Sequence, residues 1–228
     1  VWGITWDSLD ERWLPYVVKH PIRNLEEVID YPFPNPHKLC KNLRGTVEGI
    51  DRDKYLVAGG HPFFLFERAW SLVGMDKLLI GMIEKPEVIK ILLERIADFQ
   101  IAIAKYYIEI GVDIGQISDD YGSQKALFIS PRMFREFIKP EIARVTKVYK
   151  ENGKLVFFHS CGHIMEIVKD LIEVGVDILN PIQATANNLP ALKKISLENK
   201  LALWGGINAC LLYTSPSPRD LSTSRMPS

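Results

Sequence analysis

Cysteine is scarce in this chain, three residues in 228, too few for a paired disulfide framework. A fold held by its own core is expected, with a reducing cytoplasm as the default compartment. Net charge is also missing. The 28 Lys plus Arg are matched by 28 Asp plus Glu, and a pI near 7.1 leaves no basic footprint for nucleic acid. No run approaches the ~18 consecutive apolar residues of a membrane span. The opening VWGITWDSLDERW lacks the charged, apolar and small-residue succession of a secretory signal. With nucleic acid and membrane set aside, a small molecule is the expected partner. What the chain does have is core material: 47% of its residues are apolar and 25% charged. That suits one globular domain burying on the order of 70% of its unfolded surface.

The chain opens at Val1 rather than Met, so a natural start upstream is expected. Regular periodicity stops after LALWGGIN, and CLLYTSPSPRDLSTSRMPS is low-complexity sequence that cannot supply a core. It looks like a translated sequencing adapter, with a natural disordered tail as the alternative. The expected division is a folded domain over residues 1–208 and a non-native tail over 209–228.

Between these ends, short β-rich runs alternate with helical patterns. KYLVAGG reads as a strand, and FLFERAWSLVGMDKLLIGMI as one or two helices. A helix opened by Pro86 carries Val88, Leu92, Ile96, Phe99, Ile103, Tyr106 and Ile110 at helical spacing until Gly111 stops it. VDIGQIS is the next strand. Ser130 is expected to cap a helix from Pro131 whose apolar stripe passes a kink at Pro140, with Asn152 and Gly153 ending it. LVFFHSC, DILNPIQ and LALWGG read as strands separated by the helices IMEIVKDLIEVG and LPALKKISLEN. The strings EIGVDIG and EVGVDIL repeat one helix-to-strand junction.

Strands joined by single helices run parallel with right-handed crossovers, which leaves an open doubly wound sheet or a (β/α)8 barrel. The barrel is favoured, because no strand leads into a phosphate-binding glycine loop and polar residues collect at strand C-termini. About five strands are visible where a whole barrel has eight. An α/β barrel truncated at both ends is therefore expected, with exposed edges that favour aggregation of the 228-residue chain.

Parallel architectures bind ligands at strand C-terminal ends. In FFHSCGH, side-chain alternation puts His159 and Cys161 on one face, a nitrogen and a sulfur suited to a single Zn²⁺. Spacing alone leaves a buried structural cysteine open. In ISDDYG, one of Asp119 and Asp120 is expected to face the mouth as metal ligand, general base or substrate anchor, and a helix cap is the alternative. Asn180 and Gln183 in LNPIQ are candidates to orient a polar substrate. In GGHPFF, His61 or Arg68 could reach a ligand, although His61 alone reads as structural. YPFPNP reads as a rigid extended loop, and Cys40 as a structural thiol. Trp2, Trp6 and Trp13 suit a lid or the core as well as they suit a substrate platform.

The string DDYGSQKALFISPRMFREFIKPEIARV, followed by FHSCGHIMEIVKDLIEVGVDILNPIQ and LWGGIN, resembles the uroporphyrinogen decarboxylase superfamily. The resemblance runs from about residue 1 to about residue 208. That superfamily includes zinc-dependent methyltransferases that exchange methyl groups between a corrinoid and a thiol or methoxy compound. Their H-x-C-G zinc motif is reproduced by His159, Cys161 and Gly162, and the resemblance places a third ligand near the barrel's end, beyond this sequence. Cys210 comes too early to be that ligand. The decarboxylase branch is matched in SPRMFREFIKP. Its arginine-rich N-terminal substrate segment is not in this sequence, and its tyrosine in the loop after the Gly-x-Pro strand is replaced at Arg68.

The resemblance implies zinc-dependent methyl transfer with a corrinoid as co-substrate, carried on a partner protein. Cofactor-free decarboxylation of a porphyrinogen is the first alternative. It needs a cationic pocket, and helix periodicity places most of Arg132, Arg135 and Lys139 on a solvated face. An inactive subunit that docks a corrinoid protein is the second.

Overall fold

The computed structural model describes residues 2–8, 15–40 and 42–206. The low-complexity tail, Trp13 and Cys210 lie outside the described residues. An antiparallel pair, β1 (Thr5–Asp7) and β2 (Tyr16–Lys19), stands apart from a five-stranded sheet. That sheet contains β3 (Ala58–His61), β4 (Ile114–Ser118), β5 (Leu155–His159), β6 (Ile178–Asn180) and β7 (Ala202–Leu203).

All neighbours in the large sheet are parallel, and spatial order follows chain order from β3 to β7. A doubly wound sheet reverses its strand order at a switch point, whereas a barrel never does. Among the described residues the helices lie on one face. His61, Ile117, Val156, Phe158 and Leu179 point into them and are buried, while Ala58, Gln116 and Leu155 on the other face are exposed. The sheet is thus an unclosed arc of a (β/α)8 barrel, and the exposed face is the barrel's inner one. Among the described residues no helix is long and apolar enough to cross a membrane.

The helix boundaries follow local chemistry. Helices Phe66–Val73 and Met75–Glu84 are separated by Gly74. Helix Pro86–Glu109 buries Ile89, Leu92, Leu93, Ile96 and Ile103 along its apolar stripe. Ser130 Oγ accepts from Met133 N at 3.2 Å at the next helix start. Pro140 cannot donate a backbone hydrogen bond. The helix accommodates it with a π-helical segment, Phe134–Ile138, before continuing as Lys139–Glu151. In YPFPNP only the first part is extended. Asn35 caps a short helix, Pro36–Leu39, by accepting from His37 N at 2.9 Å, so the expected rigid loop ends in a helical turn.

The repeated junction is one structure used twice. Gly111 and Gly175 both turn with positive φ, at 85° and 95°. Asp113 then accepts the Val57 amide at 2.7 Å and pairs with Arg52. Asp177 accepts the Val156 amide at 2.8 Å and pairs with Lys150. Each aspartate ties the start of its strand to the preceding strand, at the end of the sheet opposite the candidate site.

Candidate functional site

The C-terminal ends of β4, β5 and β6 lie side by side, with Ser118 paired to His159 and His159 to Asn180. Strand β5 ends at His159, so Cys161 lies in the loop beyond it rather than on the strand, as alternation had suggested. The two side chains still converge: Cys161 Sγ is 3.4 Å from His159 Nε2. Asp120 joins them. Its Oδ1 accepts the Cys161 amide at 2.7 Å and lies 3.7 Å from His159 Nε2. A nitrogen, a sulfur and an oxygen atom of Asp120, His159 and Cys161 all fall within 4.8 Å of one another.

Adjacent residues on an extended chain point opposite ways, and the two aspartates divide accordingly. Asp119 is fully buried and turned away from the triad. It accepts the amides of Leu65, Phe66 and Glu67 at 3.0, 2.8 and 2.8 Å, together with the Tyr121 hydroxyl. It therefore satisfies the first-turn donors of helix Phe66–Val73, the capping alternative, reached across the sheet rather than along the chain. Burial pushes its carboxyl up to about 6 despite these donors.

The triad stands among acidic side chains. Burial, then the carboxylates of Asp120 and Glu67, push the Cys161 thiol up to about 11. Glu67 gave no signal in the sequence, since an acid in a helix's first turn is ordinary. Here burial first, then Asp119 and Asp120, push its carboxyl up to about 8. Among the described residues no Lys or Arg pairs with Asp120. An imidazole, a thiol and a carboxylate with no counter-cation form a donor set that fits Zn²⁺, which takes N, S and O ligands.

The amides expected to orient a substrate are engaged inside the protein. Asn180 Oδ1 lies 2.6 Å from His159 Nδ1, and its Nδ2 donates to Trp204 O at 2.9 Å. Gln183 Oε1 accepts the Gly162 amide at 2.9 Å, and its Nε2 donates to Gln124 at 2.9 Å. Gly162 is forced by contact as well as by conformation. With φ of 77°, its position leaves a Cβ only 2.2 Å from Gly122 O, so the β4 and β5 loops touch backbone to backbone. His163 N donates to Ser123 O at 2.7 Å across the same seam.

His61 and Arg68 have partners other than the triad residues. His61 is buried between Gln100 Oε1 at 2.8 Å and Tyr149 Oη at 2.6 Å, and burial holds its ring down to about 4. The Arg68 guanidinium lies 4.7 Å over Trp2 and 5.5 Å over Phe63. Both His61 and Arg68 line a cavity of about 290 Å³ with Trp2, Cys40, Gln100 and Tyr107. Trp2 is buried against Phe33 and Phe99, Trp6 meets Phe63 edge-on, and Cys40 is buried. On the helix after β4, Arg132 and Arg135 are exposed, and Arg135 and Lys139 both pair with Asp170.

A parallel β/α arc with an N, S and O cluster at its C-terminal rim defines a barrel-type protein. The uroporphyrinogen decarboxylase (URO-D) family profile matches residues 3–226, and the chain belongs to that family. It is 25% identical over 209 residues to the methylcobamide:CoM methyltransferase MtbA of Methanosarcina mazei, covering 86% of this chain and 60% of the relative. It is 23% identical over 216 residues to the uroporphyrinogen decarboxylase of Aeromonas salmonicida, covering 87% of this chain and 57% of the relative. The solved structure of a methyltransferase from Methanosarcina mazei superposes with a TM-score of 0.69 at 19% identity, over 89% of this chain and 59% of that one. The chain thus spans about three fifths of the proteins it matches, which include both methyltransferases and carboxy-lyases.

Proposed function

We propose that this chain forms part of a zinc-dependent methyltransferase, exchanging a methyl group between a corrinoid on a partner protein and a thiol or methoxylated small molecule. The observation that carries the reading is the convergence of Asp120, His159 and Cys161 donor atoms within 4.8 Å at the strand mouth. Those three residues would hold the ion. Bound Zn²⁺ would supply Lewis acidity, holding a substrate thiol as its thiolate at neutral pH, or making the alkoxide released from a methyl ether less basic. The chain's own groups prepare that site. The Cys161 amide fixes the Asp120 carboxylate, and Gln183 fixes Gly162 beside the thiol. Asn180 and Gln183 act in this reading through protein groups, while Arg68 and His61 belong to the separate cavity.

The decarboxylase relatives favour a second reading, cofactor-free decarboxylation of a porphyrinogen. That reaction needs cations facing the substrate carboxylates. Arg132 and Arg135 face solvent instead, and Lys139 is held by Asp170 and Glu173.

Metal analysis decides the zinc reading. The protein should bind about one Zn²⁺ per chain, and His159→Ala, Cys161→Ser and Asp120→Ala should each reduce occupancy. Equal zinc in all four proteins would refute it. Transfer of methyl from methylcobalamin to a thiol separates the activities, since consumption of uroporphyrinogen without a corrinoid would establish the decarboxylase. Binding of a corrinoid protein with no turnover of either kind would establish an inactive docking subunit.

A further inference from the structure

The residue that decides which His159 nitrogen faces the triad lies on the neighbouring strand. His159 and Asn180 are the last residues of β5 and β6 and are direct register partners, so their side chains stand side by side on the inner face. A histidine ring can present either nitrogen as acceptor, and the bond made by the other nitrogen chooses between them. An Asn amide can also be turned either way, so its orientation needs an independent anchor.

That anchor is on the next strand's exit. The Trp204 carbonyl can only accept, and it lies 2.9 Å from Asn180 Nδ2. The amide nitrogen must therefore face Trp204, leaving Oδ1 toward the imidazole 2.6 Å away. An amide oxygen can only accept, so His159 Nδ1 must carry the proton. The Nε2 lone pair is then left facing Cys161 Sγ at 3.4 Å and Asp120 Oδ1 at 3.7 Å. Trp204 is itself tied back, its amide donating to Leu179 O at 2.9 Å and its ring meeting Phe157 edge-on with centroids 5.5 Å apart.

We propose that Asn180 is a positioning residue: it relays the fixed Trp204 carbonyl across β6 and locks His159 in the Nδ1–H tautomer, with Nε2 presented as the donor atom. Both ends of its amide are engaged in this relay, one N–H toward Trp204 and the oxygen toward His159. The consequence for metal binding rests on the zinc reading, whereas the tautomer itself does not.

The test compares wild type with Asn180→Leu and Asn180→Asp. Histidine ¹⁵N–¹H correlation spectra without metal should show His159 protonated at Nδ1 in wild type. Asn180→Leu should lose that preference, and Asn180→Asp should keep it, because a carboxylate accepts the same proton. Zn²⁺ alone, titrated against a chromophoric chelator, should bind about 10 to 100-fold more weakly to Asn180→Leu and near wild-type strength to Asn180→Asp. An unchanged His159 tautomer in folded Asn180→Leu would overturn the proposal. If Asn180→Leu does not fold, an Nε2–H tautomer in wild type or in Asn180→Asp overturns it. If wild type holds the Nδ1–H form yet binds no Zn²⁺, the tautomer lock stands and the zinc reading falls.

Discussion

Replacing Asp119 with Ala should damage the fold and leave the His159–Cys161 pair in place, while replacing its neighbour Asp120 should open the cluster and spare the fold. Asp119 is fully buried and serves three backbone amides and the Tyr121 hydroxyl. Removing the carboxylate leaves those donors in an apolar surround, at ~1 kcal/mol or more each, so a loss of about 3–6 kcal/mol is expected. That is a large part of the ~5–15 kcal/mol that separates folded from unfolded domains. Urea unfolding at pH 7 measures it as a lower midpoint at constant slope. The pH dependence supplies a second measure through Asp119→Asn. The folded carboxyl titrates near 6 and the ordinary one at 3.8, so between those values the folded chain holds a proton the unfolded chain releases. The contribution is fully present below pH 3.8 and lost as pH rises through 6, a change of about 3 kcal/mol that the Asn variant should lack. A loss under ~1 kcal/mol in Asp119→Ala would rule out this capping role, and wild-type and Asn profiles of the same slope would rule out a raised carboxyl.

Two further outcomes follow from the same structure. His61 behaves oppositely to Asp119: its ring titrates near 4 when folded against an ordinary 6.5, so the stability it lends is present above 6.5 and lost as pH falls through 4. His61→Gln should flatten that acid limb in equilibrium unfolding, and an unaltered limb would count against a buried neutral imidazole. Gly162→Ala combines a positive φ with a Cβ placed 2.2 Å from Gly122 O. It should cost at least ~2 kcal/mol in urea unfolding and weaken Zn²⁺ binding, because the loop carrying Cys161 must move. Wild-type stability and affinity in this variant would show that the two loops part freely.

The elements were legible because their signals are local. Ser130 before Pro131, Gly111 after a seven-residue stripe and the alternation in LVFFH each announce a boundary or a face without reference to distant chain. The pairing of His159 with Cys161 was legible for the same reason, although the loop rather than the strand completes it. What sequence could not assign was work done between strands. Asp119 and Asp120 are identical neighbours, and only the position of helix Phe66–Val73 separates a cap from a candidate ligand. Asn180 reads as a candidate to orient a polar substrate until register sets it beside His159. Glu67 becomes unusual only when Asp119 and Asp120 arrive from another strand.

The duplicated aspartates bear on which parts of the chain can vary. Asp113 and Asp177 fasten the strands at their entrances, while every candidate donor sits at the exits, about 13–17 Å away along a five-residue strand. Rivets and reagents therefore occupy opposite rims. The exit loops of this chain can thus change without loosening the fastening below.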